Sequence, residues 1–330
     1  MQLYRRQFMK MVSATAAVSA LGAGQAFAQD AKASKTRLIL LGTGGGPTPL
    51  PGRNQPASVL LINDEPYVID AGNGVARQLM LAGVGVQRVG KIFLTHHHDD
   101  HSADFGTLMG LAWSNGRSDP IDAFGPPGTE AAIKGYLEYF KPNAVLRMKY
   151  DGRRIAPEQV FRAHDAKPGA VFEDKNVKVT CAENTHYPNH GVDGAEHHLS
   201  LSYRFESADR VVVFSGDTAM SDEVIALSKN ADVLVHEVLD VEHTTALFTK
   251  KFAEQGRSPE EAKRVLKAVI DIHTTVEQVG QIAKAANVKT VVLNHFVPGF
   301  DPSMTDEMWA DGVRKHFSGK VIVGRDLMEL

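Results

Sequence analysis

Thr95-His96-His97-His98-Asp99-Asp100-His101-Ser102 decides how this chain reads. It follows the apolar run Lys91-Ile92-Phe93-Leu94, which reads as a buried strand. It precedes residues 103–113, whose apolar positions recur at helical spacing. Imidazole is the commonest metal ligand near neutral pH, and carboxylates complete such sites. The pattern His96-x-His98-x-Asp100-His101 offers four ligands within six residues. A merely solvated loop needs no such cluster beside a buried strand. His97 is the spacer, expected to point away from His96 and His98.

The surrounding chain has 330 residues, 43% hydrophobic and 23% charged, enough for a sizeable core. Its formal net charge of -3, with no basic block, lends no electrostatic support to nucleic-acid binding. Cys181 is the single cysteine, so no intrachain disulfide exists. It lies in the alternating stretch Val177-Lys178-Val179-Thr180-Cys181 and is expected to be buried and inert.

The first residues read as an address rather than as fold. Arg5-Arg6-Gln7-Phe8-Met9-Lys10 resembles a twin-arginine export signal. The small-residue run 11–23 is too short to span a membrane, and Ala26-Phe27-Ala28 fits a cleavage site. The expectation is a signal peptide over 1–28 and a single domain over 29–330. That implies the twin-arginine machinery as a partner, a periplasmic or secreted location, and no membrane anchor.

Further candidate ligands stand at other strand ends. Residues 37–41 read as a strand ending in Gly42-Thr43-Gly44-Gly45-Gly46-Pro47. These glycines lack the Lys-Ser/Thr of a phosphate loop, so a tight turn close to a neighbouring site is the safer reading. Arg53, in the loop beyond, could reach an anion or be a surface arginine. Residues 58–63 and 66–70 look like a hairpin, closed by Asp70-Ala71-Gly72. Asp70 is either a helix cap or a hydrogen-bond partner for a metal-bound histidine. A helix is expected over 129–140 and less regular chain over 143–169. His186, Asp217, His236-Glu237 and His295 each follow or end a strand pattern. Residues 241–272 read as mostly helical. Ser258-Pro259-Glu260-Glu261 and Thr274-x-x-Glu277 read as capping boxes, with His273 just ahead of the second. Ligands scattered over strand ends are what an α/β scaffold offers an active site.

The order Gly42-Thr43-Gly44, Asp70-x-Gly72, His96-x-His98-x-Asp100-His101, His186, Asp217 and His295 resembles the metallo-β-lactamase superfamily. The resemblance implies an α/β fold, a four-layer αββα sandwich with its site at one edge of the two sheets. It implies two zinc ions, manganese or iron remaining open because similar ligands bind all three. His96, His98 and His186 would hold the first ion, Asp100, His101 and His295 the second, and Asp217 would bridge them.

Two motifs narrow the branch. Val235-His236-Glu237 and Asp271-Ile272-His273-Thr274 resemble the His-Glu and His-Ser/Thr motifs of the ribonuclease Z and arylsulfatase-like branch. There Glu237 would orient His273, and His273 would serve the leaving group, with Asp100 holding or accepting a proton. His236 is left as structural. Against ribonuclease Z stand the net negative charge, the export signal, and the lack of a glycine- and proline-rich arm after Gly125-Pro126-Pro127-Gly128. The helical stretch 241–272 reads as an insertion near the site's rim. His190, His197 and His198 either line the substrate entrance or are simply exposed.

The expectation is therefore an exported dizinc hydrolase of a small sulfuric or phosphoric ester, using a metal-bridging hydroxide. A lactone, thioester or β-lactam substrate is the alternative. Ribonuclease Z and a non-catalytic zinc protein rank lower, nucleic acid is disfavoured as a partner, and a homodimer fits the resembled branch.

Overall fold

Two sheets carry the chain, and each joins a parallel half to an antiparallel meander. A computed structural model describes residues 36–187 and 198–330. The leader read over 1–28, and His190 and His197, lie outside the described residues. In the first sheet β1 (Arg37–Gly42), β2 (Ala57–Ile62) and β3 (Glu65–Ile69) run antiparallel. Asn63 and Asp64, both at positive φ, make the tight turn between β2 and β3, as paired left-handed residues do in two-residue hairpins. β4 (Lys91–Phe93), β5 (Ile121–Gly125) and β6 (Phe161–Asp165) then add in parallel. Between them lie α1 (Val75–Leu81), α2 (Asp99–Ser102), α3 (Phe105–Ser114), α4 (Thr129–Tyr150) and α5 (Pro157–Val160).

The second sheet mirrors this plan. β7 (Gly169–Glu173), β8 (Val177–Glu183), β9 (Leu201–Ser207) and β10 (Val211–Phe214) form the antiparallel meander. β11 (Val233–Leu239), β12 (Thr290–Val297) and β13 (Lys320–Val323) extend it in parallel from β10. α6 (Asp222–Leu227), α7 (Val241–Glu254), α8 (Pro259–Asp271), α9 (Val276–Ala285) and α10 (Asp306–Arg314) connect its strands.

Strand alternation separates three apolar clusters, giving the αββα layering. On β1, Leu38 and Leu40 face the core between the sheets, while Ile39 and Leu41 face the core under α1, α3 and α4, as a period of two requires. A third cluster packs α6, α9 and α10 on the second sheet. Phe93 anchors the middle layer. Its ring lies 5.2 Å from Phe124, 5.0 Å from Phe205 and 5.7 Å from Tyr203. Stacked and edge-to-face pairs of this kind add about 0.5–1.5 kcal/mol each beyond burial. They also fix the end of β4, from which the histidine stretch departs.

Three local expectations shift, the first being that 143–169, expected as less regular chain, holds the end of α4, α5 and β6. α4 continues past Phe140 to Tyr150 with Pro142 inside it. Phe140 and Ala144, buried on either side of the proline, hold the helix together where an unpacked one would break. The box at α9 is Thr275 with Gln278, one residue beyond Thr274 and Glu277.

Candidate metal centre

The ends of β4, β8, β10, β11 and β12 deliver the candidate side chains to one place. Leu94 bonds to Phe124, and Thr95 accepts from Leu201 through its carbonyl, so the chain leaving β4 is pinned between the sheets. His96 and His98 then point inward. His97 turns away, its Nε2 near the Pro126 carbonyl. The first turn of α2 presents Asp100 and His101, both buried.

One group gathers His96, His98, His186 and Asp217, and a second gathers Asp100, His101 and His295; within each group the ligand atoms lie within 4.8 Å of one another. His98 Nδ1 is 3.1 Å from both His96 Nε2 and His186 Nε2. Three nitrogens around one tetrahedral ion, each at ~2.0–2.1 Å, stand roughly 3.3 Å apart. Asp217 lies between the groups. Its Oδ2 is 3.9 Å from His96 and His186 Nε2 and 3.1 Å from His295 Nε2, and its Oδ1 is 3.2 Å from His101 Nε2.

The hydrogen bonds behind these rings fix their tautomers. Thr95 Oγ1 donates to Asp70, so it can only accept from His96 Nδ1, 3.0 Å away. His101 Nδ1 donates to Asp70 Oδ2 at 2.8 Å. His186 Nδ1 donates to the Ile272 carbonyl at 3.1 Å. Each bond leaves Nε2 with its lone pair aimed inward. Lone pairs do not hydrogen-bond to one another, so the convergence suits a cation. His101 Nε2 and Asp217 Oδ1 also face each other, buried, without hydrogen-bond geometry. Orphaned buried polar atoms of complementary ligand type fit a metal ion.

The electrostatics agree. Burial, with His101 beside it, pushes His96 well below the usual histidine range, and burial lowers His186 to about 4, so both are neutral and suited to ligation. Against burial, Asp217 raises His295 to about 10 and, with Asp70, raises His101 well above its ordinary value. Against burial, His101 and His295 hold the Asp100 carboxyl at about 2. The carboxylates thus demand positive charge here, and protons on His101 and His295 meet that demand when no metal does.

His295 reaches the site through a backbone irregularity. On β12 Asn294 pairs with Glu237 and Phe296 with Val238, so His295 is the extra residue of a β-bulge, with φ of 41°. A bulge re-aims one side chain out of the ladder. The glycine turn packs against the result. A Cβ on Gly45 would meet the His295 ring at 2.7 Å, and Gly46 N–H donates to Asp100 Oδ2 at 2.8 Å.

Beside the two groups, β11 supplies Glu237, and the chain before α9 supplies His273. His273 Nδ1 donates to Glu237 Oε2 at 2.8 Å, while Thr218 N–H donates to Glu237 Oε1. Against burial, Glu237 raises the His273 imidazole. Its Nε2 side faces a cleft of about 530 Å³ whose floor holds His98, Asp100, His186, Asp217 and His295.

Asp70 is the partner of a candidate ligand and not a helix cap: α1 begins after Gly74. Thr95, which ties His96 to Asp70, was not singled out, although it stands immediately ahead of the histidine motif. Arg53, open between an anion ligand and a surface arginine, is partly buried. It lies 4.1 Å over the Phe296 ring and donates to Thr43 and to the Gly324 carbonyl, bracing the glycine turn from behind. His198 is exposed and does not line the cleft. Cys181 is buried, and burial pushes its thiol up to about 11.

The sequence profile of the beta-lactamase superfamily domain matches residues 66–296. Ribonuclease Z of Mycobacterium bovis (strain BCG / Pasteur 1173P2) is 29% identical over 293 residues, covering 88% of this chain and 96% of the relative. Ribonuclease Z of Mycobacterium tuberculosis (strain ATCC 25618 / H37Rv) is 28% identical with the same coverage. Among solved structures, the metallo-β-lactamase fold protein YhfI from Bacillus subtilis superposes with a TM-score of 0.62 at 18% identity, over 89% of this chain and 98% of that one. Human tRNase Z, short form, gives 0.60 at 20% identity over the same shares. The ribonuclease Z relatives overturn the ranking of a small sulfuric or phosphoric ester above ribonuclease Z, and with it the disfavouring of nucleic acid as a partner. Net charge was the wrong guide: it averages over the whole surface, while a strand is gripped by a few local groups. The chain belongs to the beta-lactamase superfamily, as a hydrolase of the metallo-β-lactamase fold with candidate His/Asp metal-binding groups at its strand ends.

Proposed function

We propose that this chain is a metal-dependent RNA phosphodiesterase of the ribonuclease Z kind, removing a 3′ extension from an RNA precursor. The observation that carries the reading is His273, held by Glu237 with its Nε2 turned to the cleft beside both ligand groups. The relatives named ribonuclease Z supply the substrate class. His96, His98 and His186 would hold one zinc ion, Asp100, His101 and His295 a second, with Asp217 shared between them. Two such ions, when bound, supply Lewis-acid stabilisation and a water of lowered pKa; manganese or iron would suit the same ligands.

The chain's own residues do the rest. Asp70 and Thr95 hold His96 and His101 in the tautomer that leaves Nε2 free. Asp100 is ionised at neutral pH, able to ligate and to accept a proton, and Gly46 N–H fixes its Oδ2. Glu237 keeps the proton of His273 on Nδ1 and favours a second on Nε2. Protonated His273 would give that second proton to the ribose oxygen leaving phosphorus, a general-acid step worth about 10²–10⁴ in rate.

A panel assay tests this. Purified, metal-quantified protein is offered a precursor transfer RNA with a 3′ extension, an aryl sulfate, a lactone and a cephalosporin. The expected result is RNA cleavage at the junction with the extension. Turnover of the lactone or cephalosporin with the RNA left intact would overturn the reading.

The Arg5-Arg6 leader remains a proposal of its own: the chain is exported folded. Replacing both arginines by lysine should leave the protein in the cytoplasm, as fractionation would show; unchanged export would sink the idea.

A further inference from the structure

The hairpin of α7 and α8 makes one wall of the cleft above the ligand floor. Leu247 and Phe248 stand four and three residues ahead of Lys251 on α7, the spacings that share a helix face, and the three line the cleft with Val269 and Ile272. Leu50, Pro298 and Phe300 line it as well. These walls are apolar, yet Leu247 is 40% and Phe300 56% exposed. Large apolar side chains left open above a polar floor mark a binding site rather than a core. Among the described residues, Lys251 is the one lysine or arginine lining the cleft. Among the described residues no carboxylate pairs with it, whereas Lys267, Lys289 and Lys315 are all paired.

A flat apolar face, an unpaired ammonium and a floor built for a phosphodiester call for one kind of occupant. The cleft's volume of about 530 Å³ lies in the roughly 300–1,000 Å³ range of small-ligand sites. That is room for a nucleotide-sized segment of single strand. We propose that Phe248 and Phe300 hold the nucleobase next to the scissile phosphate, and that Lys251 pairs with the following phosphate on the strand. This subsite rests on the RNA reading above and adds to it the residues that select single-stranded ends. Stacking on an aromatic face is tolerant of base identity, so the wall would grip any 3′ extension without reading its sequence.

The test uses a precursor transfer RNA carrying a single-stranded 3′ extension, with KM and kcat measured from low to high salt for the wild type, Lys251→Gln, Lys250→Gln and Phe300→Ala. Lys250 is exposed, adjacent, of the same charge, and absent from the cleft. Lys251→Gln should raise KM and flatten the slope of log(1/KM) against log[salt] by ~0.7, the contribution of one phosphate contact on a single strand. Lys250→Gln should leave that slope as it was. Phe300→Ala, on an exposed loop, should raise KM roughly 5- to 150-fold, the range that loss of one stacking face gives, with kcat little changed. Equal slopes for the two lysine variants, or a Phe300→Ala enzyme with wild-type KM, would overturn the subsite while leaving the RNA reading intact. A wild-type enzyme that leaves this precursor uncut would overturn the RNA reading and the subsite together.

Discussion

The floor of the cleft and its α7–α8 wall are built on opposite principles. Every ligand candidate on the floor except His98 is buried, and most are held by a second residue: His101 by Asp70, His96 by Thr95, His186 by the Ile272 carbonyl, Asp100 by Gly46. The wall presents exposed or half-buried side chains, on helices whose residues are mostly exposed. A metal centre needs ligands fixed to within fractions of an ångström, because pre-organised dipoles cost no reorganisation during reaction. A surface that receives strands of varied sequence needs apolar area and charge, and gains from being adaptable. Damage to the floor should therefore abolish turnover, and damage to the wall should weaken binding.

Asp217→Ala should have the largest effect, since this carboxylate faces both groups. Metal content, read by elemental analysis, should fall and turnover should vanish; full metal content with residual cleavage would break the assignment. His273→Ala comes next, with kcat down about 10²–10⁴ as for other general acids, while metal content and KM hold. Glu237→Gln should give a smaller loss, because His273 remains in place with a less basic partner. A metal content that fell with kcat in His273→Ala would make His273 a ligand instead. Asp70→Asn should cost about 10–100-fold in metal affinity, the usual price of losing a ligand's supporting partner, as titration with a chelator would measure. Gly45→Ala should do least, displacing the His295 ring that its Cβ would meet at 2.7 Å; a modest drop in occupancy of one ion is expected, and an unchanged affinity would mean the turn yields freely.

The same contrast explains what could be read in advance. His96, His98, Asp100 and His101 stand together in the chain, so their spacing alone announced a ligand set. His186, Asp217 and His295 each follow an apolar run, so their placement at strand ends could be read one by one. Their partition between two ions came from the family resemblance. Asp70 stayed open between two roles, because a carboxylate at a strand end looks the same whether it caps a helix or holds an imidazole. The bulge at His295 was hidden, since it arises from the register of β11 against β12, which no local pattern reveals. The bracing of the glycine turn by Arg53 was hidden too, because its partners Phe296 and Gly324 are far away in sequence. The αββα layering followed the resemblance and agrees with the alternation of Leu38 to Leu41 between two cores. The helical stretch 241–272 was legible as helix, but not its cleft-facing residues. Net charge led away from RNA because a sum over 330 residues says nothing of any local arrangement of charge.

Metal titration of the stripped protein, followed by cleavage of a precursor transfer RNA carrying a 3′ extension, tests the central claim most directly. Cleavage should be absent without metal and should rise to its plateau only when two equivalents per chain are bound. In Asp217→Ala it should stay absent at the same loading. Full cleavage at one equivalent, or in the metal-free protein, would contradict the account.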